Sequence, residues 1–462
     1  LQIYFFLLGV EQNTHIEKQI LSITQLKKLP LLPAKNGEFT IFYKAEDASP
    51  VILLRVNEIQ GFKNINYIRK ILSAFREDLH LYFPNINDFS TIVSHHVLLG
   101  AALYGYNFSS LKTTNHLQKK VFFDDSISKD TVLNIRNEAA ALITTMEIID
   151  MPSNLKNPDF MADYIKKLGL KYNLDTKIMD RDELQKRGFG ALISVGNASD
   201  FGSYLAIITY KGTPFDNVDY ALIGKGVTFD TGGLSVKPST NMHYMKSDLG
   251  GAAAVIGAMQ LISDQKPECN VTALIPLVEN VISAKATRPG DVITSYSGKT
   301  IEVIDTDAEG RLILSDAITY AVRDLKAKSM IDLATLTGSS VMTFGSQYAA
   351  MFTKNKDVAN RLQSIGEVTG DKVWLLPMDE EYGELMQSDI ADIKNFHGRP
   401  YAGAITAAKF LEFFTEGHDD WVHLDIAGMA FTDSDLVKSK VASGYGVRLL
   451  AQYVNPNNKL VL

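Results

Sequence analysis

The chain has 462 residues, which allows two or three domains and a large buried core. Its 46 Lys and Arg stand against 53 Asp and Glu, a formal net charge of −7, so no global positive field draws in nucleic acid. With 46% hydrophobic and 21% charged residues the composition excludes disorder, and a single cysteine, Cys269, excludes an intrachain disulfide and any thiolate metal cluster.

Residues 3–8 form an apolar run too short to span a bilayer, without the flanks of a signal peptide. Residue 1 is Leu, which fits a chain trimmed at its start. The expectation is a cytoplasmic protein with no membrane partner. Residues 3–8, 39–43, 51–56 and 91–94 are rich in branched and aromatic side chains and read as strands, and residues 67–75 carry helical spacing. These define a smaller α/β domain over residues 1–125. Its one histidine pair, His95-His96, reads as surface and packing, since adjacent side chains point different ways.

Ile135, Ala139, Leu142, Met146 and Ile149 mark one stripe of a linking helix within residues 126–150, closed by Pro152. From 151 to 462 strands and helices alternate. Residues 220–223, 271–276, 301–304 and 330–333 read as buried strands, with helices over 249–262 and 312–325. The fold class is therefore α/β, two domains, the larger C-terminal one built on a mostly parallel sheet with functional loops expected at the strands' carboxyl ends.

Two such loops concentrate charge among glycines. The first runs from Gly224-Lys225-Gly226 through Asp230 and Lys237 to Asp248; the second is Asp305-Thr306-Asp307-Ala308-Glu309-Gly310-Arg311. Each residue has a plain structural reading. Asp248 is placed to cap the helix after it, Asp307 and Glu309 to form a capping cluster paired with Arg311, and Gly224-Lys225-Gly226 to make a turn. Together they read better as a two-metal site, because hard divalent ions need several carboxylates aimed at one place. An extended backbone would send Asp307 and Glu309 the same way. Of the nine histidines only His243 lies inside either window, and solvent exposure is its expected state. A P-loop and a Gly-x-Ser-x-Gly elbow are both missing from the sequence.

The second window differs from Asn-Thr-Asp-Ala-Glu-Gly-Arg-Leu, the signature of the leucyl aminopeptidase (cytosol aminopeptidase) family of dizinc exopeptidases, only by Asp305. The Gly224–Gly233 window, the 245–254 segment, Arg288-Pro289-Gly290-Asp291, Ala334-Thr335-Leu336-Thr337-Gly338, Ser388-Asp389-Ile390-Ala391-Asp392 and the 423–428 segment are similar to the same family over roughly residues 135–455. The resemblance implies one metal held by Lys225, Asp230, Asp248 and Glu309. It implies a second held by Asp230, Glu309 and Asp307, whose main-chain carbonyl contributes.

It further implies an aminopeptidase that removes an N-terminal residue, preferably Leu or similar, with a hydroxide activated by both ions. Zn is the family's usual metal, with Mn and Mg open to a carboxylate site. Lys237 would stabilise the developing oxyanion, and a bicarbonate held by Arg311 would act as general base. Met245, Leu336 and Met429 would line the substrate pocket; their plain reading is core packing. Peptides with a free N-terminus are the implied substrates, and a homohexamer the implied assembly. A two-metal phosphoryl hydrolase, which leaves the order Lys225, Asp230, Lys237 unexplained, and a non-catalytic binding protein, which a lost ligand would favour although none is missing, are the competing readings.

Overall fold

Apolar strands covered on both faces organise the chain. The computed structural model describes residues 1–9, 14–106, 108, 111–113, 119–433 and 440–455. Its described residues divide into two compact units, residues 1–143 with Glu367–Gly370, and residues 144–366 with 371–455. The division falls inside one helix, Lys129–Asp150.

Among the described residues of the first unit, five strands form one sheet: β1 (Gln2–Leu8), β2 (Phe39–Tyr43), β3 (Pro50–Arg55), β4 (Leu79–Tyr82) and β5 (Val121–Phe123), in the order β2-β3-β1-β4-β5. All pairs but β2–β3 are parallel. Ile3, Phe5, Phe6 and Leu7 are fully buried, as is β3 throughout. Residues 91–94, expected as a strand, are instead the first turn of a helix, Thr91–Ala102. The Ser90 hydroxyl accepts from Val93 N and caps it, which outweighs the strand preference of branched side chains. The expected helix over 67–75 runs from Lys63 to Leu72, burying Ile65, Ile68, Ile71 and Leu72 along one face. His95 Nε2 lies 2.8 Å from Glu138 Oε2, an ion pair or hydrogen bond rather than a metal site.

The second unit is built on strands β6 (Asp175–Met179), β7 (Tyr204–Lys211), β8 (Tyr220–Gly224), β9 (Gly226–Asp230), β10 (Asn270–Asn280), β11 (Val292–Thr294), β12 (Thr300–Glu302), β13 (Ser329–Ala334), β14 (Ala349–Phe352), β15 (Val373–Leu375), β16 (Ile393–Lys394) and β17 (Trp421–Asp425). The main sheet runs β15-β14-β17-β13-β8-β10-β7-β6, with β9 also paired to β10. Its centre, β17-β13-β8-β10, is parallel, and antiparallel β7 and β14 flank it. Residues 301–304 do not belong to this sheet. Only Thr300–Glu302 is strand, held between β11 and β16 in a separate three-stranded sheet. Helices Gly250–Gln265 and Glu309–Arg323 cover the main sheet with almost entirely buried sequences.

Across β13 and β17, Asp332 and His423 are register partners, fully buried, with Oδ1 and Nδ1 2.5 Å apart. Trp421 Nε1 donates to the other Asp332 oxygen at 2.8 Å. Among the described residues no helix is long and apolar enough to cross a membrane.

Candidate metal centre

The parallel strands deliver their functional groups at their carboxyl ends, where a doubly covered sheet opens. Lys225 sits in the break between β8 and β9; its N donates to Leu333 O at 3.0 Å and its O accepts from Ala252 N at 2.9 Å. Asp230 ends β9. Asp248 follows a short 3-10 turn, Met242–Ser247. Asp307 lies in a turn, and Glu309 opens the helix after it. Two glycines permit this crowding. A Cβ on Gly251 would sit 2.0 Å from Leu333 O, and one on Gly310 would sit 2.5 Å from Lys225 Cε.

Six charged side chains converge. Lys225 Nζ lies 2.8 Å from Asp248 Oδ1, 2.9 Å from Glu309 Oε1 and 3.0 Å from Thr335 O. Lys237 Nζ lies 2.7 Å from Asp230 Oδ2 and also pairs with Asp307 Oδ1. Asp230, Asp307 and Glu309 each place a carboxylate oxygen within 4.8 Å of the others. The second Asp248 oxygen, Oδ2, is buried without a hydrogen-bond partner. Such an orphaned acceptor, in a donor set made mainly of carboxylate oxygens with one lysine nitrogen, fits a divalent ion.

The electrostatics show how crowded the negative charge is. Burial works to lower the Lys225 pKa, but Asp248, Glu309 and Asp230 overcome it and raise it. Lys237 is raised in the same way, against burial, by Asp230, Glu309 and Asp307. Burial and then repulsion from Asp230 push Asp307 up to about 7. Burial raises Asp248 well above the usual carboxylate range despite Lys225. For Glu309 burial is outweighed by the two lysines, and its pKa is lowered. The two ammonium groups thus act as counterions to carboxylates that repel each other.

Several local expectations are corrected. Asp248 does not cap the Gly250–Gln265 helix; Leu249 stands at the N-cap with no side-chain bond, and Asp248 Oδ1 is taken by Lys225 and Thr335 Oγ1. Asp307 and Glu309 do not lie on extended backbone and do not cap the following helix, whose N-cap is Ala308 without a side-chain bond. Arg311 pairs with neither. It is buried, its Nη1 donates to Asn395 O at 2.7 Å, and its Nε lacks a hydrogen-bond partner. Burial pulls its pKa down to about 10. His243 is exposed, as expected.

Of the pocket candidates, Met245 is half-buried on the 3-10 turn, Leu336 half-buried against the core, and Met429 buried. Their segments adjoin, because a Cβ on Gly250 would meet both Thr335 and Ala430 at 2.9 Å. A cavity of about 640 Å³, lined by Lys354, Glu380, Lys409, Glu412, Phe413 and Trp421 among others, contains none of the site residues.

Sequence reading missed the residues that hold the two windows together. Thr306 Oγ1 donates to Gly232 O and accepts from Ser235 N, at 2.7 and 2.8 Å. Asn280 Nδ2 donates to Asp230 Oδ1 at 2.7 Å and to Thr306 O at 3.0 Å. Asp425 receives Leu336 N and the Thr337 hydroxyl, fixing the loop that offers Thr335 O to Lys225. Thr306 lies inside the second window and Asp425 in a segment similar to the family, but neither has an assigned role there, and Asn280 carries no spacing signal.

A model of the cytosol aminopeptidase family's catalytic domain matches residues 143–451. A probable cytosol aminopeptidase of Rickettsia felis is 42% identical over 368 residues, covering 78% of this chain and 74% of its own. A probable cytosol aminopeptidase of Rickettsia bellii is 41% identical over 447 residues, covering 94% and 88%. The solved structure of the bottromycin maturation enzyme BotP in complex with Mn is similar with a TM-score of 0.86 at 25% identity, covering 98% of this chain and 99% of that one. The α/β fold, its carboxylate cluster and these matches define a metal-dependent aminopeptidase. The chain belongs to the cytosol aminopeptidase family.

Proposed function

We propose that the chain is a leucyl aminopeptidase with a two-metal site. The observation that carries this is the convergence of Lys225, Asp230, Asp248, Asp307 and Glu309, with Asp248 Oδ2 buried and unpartnered. Lys225, Asp230, Asp248 and Glu309 would hold one ion, and Asp230, Asp307 with its main-chain carbonyl, and Glu309 the other. When bound, two such ions polarise a scissile carbonyl and acidify water to a nucleophile near neutral pH. Zn and Mn suit the site, and Mg is the third candidate.

The chain's own groups do the rest. Lys225 would ligate only as a free amine, so its proton would have to leave where cations replace it as partner of Asp248 and Glu309. Lys237, freed from neutralising Asp230 and Asp307, stays an ammonium and faces the developing oxyanion. Asp248 would help to receive the substrate's free α-amine, which would restrict cleavage to the first residue. Arg311, with its unpartnered Nε, would hold bicarbonate, which supplies a general base. Met245, Leu336 and Met429 would receive an apolar first side chain. The same reading includes a homohexamer in the cytoplasm, with residues 1–125 as N-terminal domain, 126–150 as linking helix and 151–462 as catalytic domain.

Hydrolysis of leucine p-nitroanilide by chelated protein, then with Zn²⁺, Mn²⁺ or Mg²⁺ restored, tests this. Cleavage only with metal, and only of the free-amine anilide rather than its N-acetyl form, is expected. Cleavage of p-nitrophenyl phosphate alone would make it a phosphoryl hydrolase, and inactivity of every folded, metal-loaded sample would make it a binding protein.

A further inference from the structure

Asn395 is fully buried immediately after β16, and its N donates to Glu302 O at 3.0 Å. Its side-chain oxygen accepts from Ile304 N at 2.8 Å and Asp305 N at 3.2 Å. Its amide nitrogen donates to Asp305 O at 2.6 Å and reaches Ala308 O at 3.4 Å. Its main-chain oxygen accepts from Arg311 Nη1 at 2.7 Å. A primary amide offers two acceptor positions and two donors, and all four are spent on one five-residue loop. That loop carries Asp307 and ends at Glu309. Asp has no donor for the two carbonyls, and Leu supplies none of the four bonds.

Asn280 ties Asp230 Oδ1 to Thr306 O in the same loop. The loop is therefore held by Asn395 and joined to the first window by Asn280.

We propose that Asn395 is a positioning residue for the metal centre, setting where the Asp307 and Glu309 carboxylates stand relative to Asp230, with Asn280 as its counterpart. This rests on the two-metal reading above. Asn395 bonds to the backbone on either side of Asp307, at Ile304 and Asp305 before it and at Ala308 after it, and acts through that backbone. Groups that orient ligands in this way alter metal affinity about 10–100-fold when replaced.

The test is calorimetric titration of the chelated protein with MnCl₂, paired with thermal unfolding of the same metal-free samples. Asn395→Asp is compared with the parent and with Asn64→Asp. Asn64 is a useful control because it is equally buried, in the first unit, and bonded to both backbone groups of Asn57. Asn395→Asp is expected to weaken Mn²⁺ binding about 10–100-fold, and Asn64→Asp to lower the unfolding midpoint with Mn²⁺ affinity unchanged. Asn395→Ser, which keeps one donor and one acceptor, should fall between Asn395→Asp and the parent. Parent-like Mn²⁺ affinity in a folded Asn395→Asp would overturn the proposal, as would failure of both Asn395 variants to fold, which would assign the residue to the fold alone. A parent that takes up no Zn²⁺ or Mn²⁺ would overturn the metal reading itself, an outcome distinct from the others.

Discussion

Gly310 leaves vacant the space that the Lys225 side chain fills: a Cβ there would lie 2.5 Å from Lys225 Cε and 2.7 Å from its Nζ. Lys225 is not free to step aside, since its ammonium is held by Asp248, Glu309 and Thr335 O. Gly310→Ala should therefore displace the lysine rather than unfold the helix, where alanine is favoured over glycine by about 1 kcal/mol. The expected outcome is at least a tenfold loss (order of magnitude) of metal affinity and of anilide hydrolysis. Near-parent melting of the chelated protein should accompany it. Metal titration of the variant checks it, and unchanged affinity would show that Lys225 is not a ligand.

The Asp332–His423 pair makes a separate prediction about stability. Asp332 serves both His423 Nδ1 and Trp421 Nε1 in a fully buried position. Asp332→Ala orphans both donors, and breaking a buried pair in this way costs about 3–5 kcal/mol. A clear drop in the urea midpoint is expected. A shift within error would mean that the pair contributes nothing net to the fold.

Arg311 makes a kinetic one. Arg311→Met should lower kcat about 100-fold, the usual scale of a lost general base, with metal stoichiometry retained. Hydrolysis by the parent should rise with added bicarbonate, and hydrolysis by the variant should not. A variant that still responds to bicarbonate would place the anion elsewhere.

The pH dependence of the chelated protein has a defined sign. Asp307 and Asp316 are both raised from 3.8 to about 7, burial being the largest cause in each. A carboxyl whose folded pKa is raised makes the folded state bind more protons than the unfolded chain between the two values, so stability falls as pH rises through that window. Asp230 and Asp248 act in the same direction, while lowered Glu309 acts below its ordinary value of 4.5. The melting midpoint of chelated protein should therefore drop from pH 5 to about pH 8. Bound Mn²⁺ should raise it most at the upper end, where the carboxylates are ionised. A midpoint that climbs over this range would refute the assignment.

Much of the site was legible because its charges lie in two short windows, and Asp307, Glu309, Lys225 and Asp230 keep their spacing whatever the backbone does. The supporting groups were not legible. Asn280 is 50 residues from Asp230 and Asn395 is 90 from Asp305, so only the folded chain reveals their partners. In the fold, the alternation of strands and helices was readable from apolar runs. Thr91–Ser94 misled because three branched or apolar residues can equally begin a helix once Ser90 caps it. The strand Val121–Phe123 escaped notice because three residues at a sheet edge carry almost no periodic signal.

The loop held by Asp425 has a consequence for when the site can exist. All five carboxylate and amine donors are present in a nascent chain by residue 309, but the loop carbonyl against Lys225 belongs to Thr335, and Asp425 fixes that loop. During synthesis the donor set is thus complete in sequence more than a hundred residues before it is complete in space. On the two-metal reading, metal capture would follow the arrival of Asp425 on the strand Trp421–Asp425, and the ion would reward a finished domain instead of guiding a partial one.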